Sequence, residues 1–405
     1  MTRALGSALV CLFLAGPATA QEPEAATRAE LLAKMRAQKA QVVRPYQPKG
    51  LEKLLLYVDE HRLIDRLTVA DGWYPTFGGP ITGSGIGGGV GYRRHFLHDE
   101  LFVDVTGRLT AKLYKELLAA ATYPSVQEGL LEFGAALAWR DYPQEDFFGT
   151  GSESLSERHT NYALQMTDIG GHAAVKPRSW LRFGGRVGVV APTIDRGTDS
   201  RVPSIEDLFT DADAPGLAQQ PDFLYKDLFA TADSRDQVGN PRSGGLFMAT
   251  YGWRTDRDLD RYSFRQLDVE AAHFFPIFDK KRVIAVRSRL VATDAGEGQQ
   301  VPFYFLPYIG GSKTVRGFEE FRFRDRSVFF VNVEYRWEAF AALDMALFVD
   351  AGDVRHEWRD IDLAHLKTSY GVGFRFNTYK NVFMRLDIGT GGEGTQLFFK
   401  FGRAF

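Results

Sequence analysis

Nucleophile and metal-ligand patterns are absent from this sequence, and the side chains left to do chemistry are charged ones at regular spacing. There is no Gly-x-Ser-x-Gly elbow, no His-Glu-x-x-His pair and no calcium loop. His95 and His98 stand three apart in "HFLH" and, without further ligands beside them, read as rim residues. Gly83-Ser84-Gly85-Ile86-Gly87-Gly88 has the letters of a dinucleotide fingerprint but lacks the strand–helix–strand context that gives those letters meaning. No enzyme activity, cofactor or metal is therefore expected. What remains is a set of arginines and carboxylates: Arg287, Arg289, Glu334, Arg336, Asp350, Arg375, Arg385 and Asp387. One more arginine, Arg316, sits in "GGSKTVRGFEEFRFRD", Gly310 to Asp325. A guanidinium grips a carboxylate through two parallel hydrogen bonds, so the available chemistry is ion pairing, or a charged lining that selects solutes.

The elements that must position these groups are long strands. In "SVFFVNVEYRWEAF", Phe329, Val331, Val333, Tyr335 and Trp337 share one face, and Asn332, Glu334, Arg336 and Glu338 the other. The next segment sets Met345, Leu347, Val349 and Ala351 against Asp344, Ala346, Phe348 and Asp350. Arg375, Arg385 and Asp387 fall on the polar face of the two strands after it. A period of two with charges on one face and bulky apolar residues on the other suits a strand between lipid and a polar lumen. A soluble sandwich would show the same period with the apolar face buried. Strand length and the ending favour the membrane: spanning needs about 10 tilted residues, and "TQLFFKFGRAF" places Leu397, Phe399, Phe401 and the terminal Phe405 on one face. The alternation yields about fourteen strands, the first near 83–94, the next two near 100–116 and 127–141, and the last at 395–405. Long loops near 143–157, 193–221 and 294–324 fall on one side, and turns such as "PIFDKK" on the other, the asymmetry of an outer-membrane barrel.

Composition agrees. Aromatic residues make up 13%, with 32 Phe and 16 Tyr, yet no apolar run beyond the N-terminus is long enough to span as a helix. Net charge is −2, which gives no electrostatic footprint for nucleic acid. Residues 1–20, "MTRALGSALVCLFLAGPATA", have the positive start, apolar stretch and Ala-Thr-Ala cleavage site of a secretory signal peptide. The only cysteine, Cys11, lies within it, so the mature chain has no thiol. Residues 21–75 read as a short helical periplasmic segment with an amphipathic helix at 51–67, and residues 76–405 as the barrel. The chain is thus expected to be all-β, a transmembrane antiparallel barrel preceded by one or two short helices. Its place is the outer membrane of a Gram-negative-type bacterium, in contact with outer-membrane lipid and lipopolysaccharide.

Val315-Arg316-Gly317-Phe318 in the longest loop, Glu334 in "NVEYR" and Asp350 in "FVDAG" occur in the order seen in the BamA/TamA-type outer-membrane assembly and translocation superfamily, the bacterial surface antigen domain, which this chain resembles from 82 to 405. The resemblance implies sixteen strands and a loop folded back into the barrel, with Arg316 meeting Glu334 and Asp350 as an internal latch. Both acids face inward by the alternation alone. It also implies help with insertion or translocation of an unknown client protein or lipid, and recognition of the terminal strand, with Phe399, Phe401 and Phe405, by the barrel assembly machinery. Arg403 departs from the apolar residue usual at its position. Family members usually carry POTRA repeats, for which the segment before the barrel has no room, so a member lacking them is expected. Gly85, Gly87, Gly88, Gly89 and Gly91 crowd the expected first strand. Glycine weakens a strand, so this strand is expected to form a weak seam with the last; the other reading is that the glycines fit a crowded lumen or a bend. A passive channel for small solutes is the alternative function.

Overall fold

The computed structural model describes residues 28–42, 71–126, 129–340, 342–377 and 382–401. The expected signal peptide, the helix expected at 51–67 and Phe405 lie outside them. The N-terminal unit contributes α1 (Arg28–Val42), a helix of polar and alanine-rich sequence whose leucines Leu31 and Leu32 are exposed.

The second unit is built of strands. Its first half comprises β1 (Gly72–Phe77), β2 (Gly87–Phe96), β3 (Leu101–Thr110), β4 (Lys115–Val126), β5 (Leu131–Phe147), β6 (Thr160–Arg178), β7 (Leu181–Arg196) and β8 (Phe223–Asp233). There follow β9 (Gly244–Asp256), β10 (Phe264–Ile277) and β11 (Arg282–Ala295). Two short strands, β12 (Tyr308–Ile309) and β13 (Phe323–Arg324), pair only with each other inside the loop 296–326. The wall resumes with β14 (Ser327–Phe340), β15 (Leu343–Arg355), β16 (Lys367–Asn377), β17 (Val382–Gly391) and β18 (Gly394–Phe401). Apart from β12 and β13, each strand pairs antiparallel with its sequence neighbours in one 16-stranded sheet that curls into a nearly closed barrel.

Sixteen is the number the resemblance implies; the alternation finds two fewer. One strand it misses is β1, "GWYPTF", six residues long and holding a proline, which is tolerated because the strand lies at the sheet's edge. The other is β4, "KELLAAATYPSV", which opens with helix-favouring residues and shows no period of two. The sheet also begins at Gly72, ahead of the boundary expected at 76.

Burial settles the choice between sandwich and membrane barrel. Leu347 and Val349 on β15 are 50% and 55% exposed, whereas Glu334 and Asp350 are 0% exposed. Apolar residues outside and charges inside is the inverse of a soluble sandwich and the pattern of a barrel set in lipid. At one end the connections are short, as at 97–100, 179–180 and 278–281. The other end carries the longest connections, 148–159, 197–222, 296–326 and 356–366, beside tight ones at 111–114 and 392–393.

These long loops fill the outer end of the lumen. Phe147 of β5, Tyr162 of β6, Phe223 of β8, Phe209 after the single helical turn Ile205–Leu208, and Phe303 of the 3-10 turn Phe303–Phe305 form one buried aromatic core. The Phe303 ring meets Phe147 and Tyr162 edge-on at 5.3 and 4.9 Å, the preferred geometry for aromatic pairs. The barrel is therefore capped from outside by its own loops.

The meeting of the chain ends differs from the expectation. The glycine-rich segment is the second strand, paired with β1 on one side and β3 on the other. The edge facing β18 belongs to β1, and among the described residues no hydrogen-bonded ladder joins β1 to β18. Contact there is aromatic: the Phe77 ring lies 5.7 Å from Phe401 and 5.9 Å from Phe383. The glycines of β2 have a different use. A Cβ on Gly91 would lie 2.1 Å from the Tyr74 ring, so β1 lays a buried tyrosine flat on this bare stretch of β2. The Tyr74 hydroxyl reaches Thr106 at 2.8 Å and donates to Asp104, while the Arg93 guanidinium lies 3.8 Å above its ring. The crowding reading of the glycines therefore fits this strand, and Gly85 lies in the preceding turn with φ +83.

Candidate functional site

The loop 296–326 leaves β11 at the outer end and returns to β14 after dipping into the lumen. Val315 and Phe318 anchor it: both are buried with Ile309, Phe323, Val328, Phe330 and Val354, and Phe318 meets Phe323 edge-on at 5.4 Å. Between these two apolar anchors Arg316 projects toward β14 and β15.

Glu334 and Asp350 are brought to it by the strand alternation, and the structure places all three side chains together. Arg316 Nε donates to Asp350 Oδ2 at 2.8 Å and Nη2 to Oδ1 at 2.7 Å, a bidentate grip. Its backbone N–H adds a third bond to Asp350 Oδ2 at 3.1 Å, and Nη1 donates to Glu334 Oε1. The guanidinium lies 3.5 Å above the centroid of Phe348. A planar, delocalised cation suits this combination of forked carboxylate and aromatic face, which a lysine ammonium would not match.

Around this centre the carboxylates are shared. Glu334 also accepts from Arg336 at 2.6 Å and from Arg375 at 3.1 Å. Asp387 accepts from Arg375 and lies 3.9 Å from Arg316. Asp350 is completed by Asn332, whose Nδ2 donates to Oδ1 at 2.9 Å, and by Ser369. Buried charges persist only when paired and hydrogen-bonded, and these are both. The lumen arginines read as a possible solute lining are likewise engaged: Arg287 grips Glu270 with two bonds of 2.9 Å, and Arg289 grips Asp268 at 2.8 and 2.6 Å.

Gly317 is needed for closeness rather than for a turn. Its φ is not in the left-handed region, but a Cβ there would lie 2.5 Å from Ser369 and 2.6 Å from the Gly391 nitrogen. The loop thus packs directly on the Ser369 side chain of β16 and the backbone of β17. Its carbonyls are held from the wall, with Asn332 donating to Thr314 O at 2.6 Å, Arg287 to Lys313 O at 2.8 Å and Arg385 to Ser312 O. Farther along, Arg322 grips Glu393 in the β17–β18 hairpin at 2.8 and 2.6 Å and donates to Ser154 O at 2.8 Å. Arg324 donates to the Tyr162 hydroxyl at 3.1 Å.

Of the residues singled out by sequence, Phe399 faces outward and half exposed, and Phe401 belongs to the aromatic cluster beside β1. His95 bonds Asp71 at 2.9 Å at the short-turn rim, and His98 lies in the adjoining turn. Sequence reasoning passed over Phe348, Asn332 and Asp387 as partners of the loop, and Arg322 as a second anchor within it. Phe348 carried a usable signal, being the one aromatic on the charged face of its strand. The Arg322–Glu393 pair spans distant segments and left no local trace.

The sixteen-strand barrel has counterparts among known proteins. Residues 227–403 match the Omp85 superfamily domain. The structure is similar to BamA from Haemophilus ducreyi, in a form lacking POTRA domains 1-3, with a TM-score of 0.58, 14% identity and coverage of 81% of this chain and 68% of that one. It is also similar to CdiB from Escherichia coli, with a TM-score of 0.53, 12% identity and coverage of 81% and 61%. At such identities the likeness is one of fold, and the chain spans about two thirds of those proteins' own length. Among the described residues no POTRA-like domain accompanies the barrel. The protein is a sixteen-stranded outer-membrane β-barrel whose residues 227–403 match the Omp85 superfamily domain.

Proposed function

We propose that this barrel assists the insertion or translocation of client protein, or of lipid, at the outer membrane by parting between β1 and β18. The observation that carries the reading is the seam: β1 has six residues and no described hydrogen-bonded ladder to β18, while every other neighbouring pair in the wall is laddered. Unpaired strand edges are templates for further strands, and this edge meets β18 through aromatic rings rather than a ladder. The Arg316 loop supports the same reading as an internal latch. It braces β14 to β17 from within and holds the β17–β18 hairpin through Arg322 and Glu393, so the wall beside the seam stays in shape while the seam itself is free. The outward phenylalanines of β18 suit recognition by assembly machinery during the protein's own biogenesis.

The passive-channel alternative is less well supported, because the outer end of the lumen is filled by the aromatic cap and the lumen arginines are tied to carboxylates.

Locking the seam is the test. With Cys11 the only native cysteine, and inside the expected signal peptide, Phe77→Cys with Phe401→Cys introduces one cross-linkable pair, closed by oxidation or a short bifunctional thiol reagent. Cells depleted of the native protein and complemented with the pair should lose client outer-membrane proteins or lipids when it is closed and regain them on reduction. A closed pair that sustains a normal outer-membrane proteome and lipid composition removes the proposal.

A further inference from the structure

On the outer wall, at the long-loop end of β9, β10 and β11, the structure has a groove of about 410 Å³ that the luminal site does not use. Its floor is apolar and faces outward. Tyr251 and Leu267 are cross-strand partners on β9 and β10, and Leu290 continues the same face on β11. Its upper edge is formed by the loop 356–366, which brings Trp358 over the groove with the ring half exposed. Tryptophan and tyrosine gather at the level where hydrocarbon meets headgroups, so the groove lies where the acyl chains of the outer leaflet end and its headgroups begin.

The charge at this level is unusual for a lipid-facing wall. Arg265 projects outward from β10, Arg359 follows Trp358, and Arg326 borders the groove. Arg326 is held by Asp294 at 3.3 Å and by His356 at 3.0 Å. Among the described residues neither Arg265 nor Arg359 has an ion-pair partner; Arg359 has only the Trp358 ring, at 5.3 Å. Three arginines thus face two carboxylates, Asp294 and Glu357, leaving an excess of positive charge beside an apolar trough. Guanidinium forks match phosphate oxygens.

We infer that this groove is a docking site for a phosphorylated, multiply acylated lipid of the outer leaflet, the chemistry of lipopolysaccharide. Arg265 and Arg359 take its phosphates, and Tyr251, Leu267, Leu290 and Trp358 receive an acyl chain. Phospholipids with a single phosphate and two chains offer less to two separate free arginines.

The test is native mass spectrometry of the full-length protein with bis-phosphorylated lipid A, dephosphorylated lipid A and phosphatidylglycerol as separate probes. Bis-phosphorylated lipid A should be retained most strongly. Arg265→Gln with Arg359→Gln should lower its retention by about a hundredfold, two lost charge-assisted contacts at about tenfold each. Trp358→Ala, in an exposed loop, should lower it as well, and Arg282→Gln, at the opposite end of β11, should not. Folding of each variant is checked by its heat-modifiable mobility. Equal retention of the dephosphorylated lipid or of phosphatidylglycerol overturns the inference. So does unchanged retention in the double variant, or an equal loss in Arg282→Gln.

Discussion

At the scale of single residues, the two acids that meet Arg316 differ in what they keep once it is gone. Glu334 retains Arg336 and Arg375, whereas the partners described for Asp350 that remain are the neutral Asn332 and Ser369. Breaking a buried pair costs about 3 to 5 kcal/mol, largely through the charge left unpaired. Arg316→Ala should therefore destabilise the barrel by about that amount, and Asp350→Asn added to it should recover part of the loss. Arg316→Lys should fall between wild type and Arg316→Ala, keeping the charge but not the fork. Urea unfolding in lipid vesicles, read by the mobility shift of the folded barrel, measures all three; wild-type stability in Arg316→Ala would show the network to be energetically idle. The inward aim of Glu334 and Asp350 was legible because a strand's period of two fixes facing whatever the tertiary fold. The seat on Phe348 and the approach of Gly317 to β17 were not, because both depend on how deeply the loop enters the lumen.

At the scale of elements, the loops hold one another at the outer end, and one such contact depends on protons. His159, in the loop between β5 and β6, stacks on Phe148 at 4.4 Å and bonds Asp146 at 2.9 Å. Burial disfavours its charged form, but the hydrogen bond and negative charge of Asp146, with Glu319 and Asp199 nearby, outweigh burial and raise its pKa above the ordinary value. A raised folded-state value means the contact contributes fully below about pH 6.5, the unfolded reference, and is lost as pH rises through the folded value. Limited proteolysis of the segment 148–159 should accelerate as pH climbs above that reference. In His159→Gln the rate should be the same across the range, and a wild-type rate that ignores pH would dissolve the argument. The strands from β14 onward were legible in the sequence because their inner face is charged and their outer face bulky. β4 was hidden by its alanines and leucines, which carry no contrast between faces. β1 was hidden by brevity and proline, and missing it shifted the expected seam by one strand.

At the scale of the whole barrel, sixteen strands would enclose a wide lumen, but the described loops close its outer end with an aromatic core. The intact protein in a planar bilayer should show little steady conductance. Replacing residues 297–325 by a short Gly/Ser linker should open a large one; a comparable steady conductance in the intact protein would favour the channel reading. The barrel class was visible from alternation and loop asymmetry, while the cap was not, since loop sequences have no period to betray where they pack. The wall itself is uneven in height. With a rise of about 3.3 Å per residue, the six residues of β1 span roughly 20 Å even untilted, against an acyl layer of about 30 Å, while β6 has nineteen residues. Lipid that sits comfortably against β6 is mismatched at β1 and must thin, tilt or disorder there, so the bilayer is weakened at the same place where the sheet has its free edge.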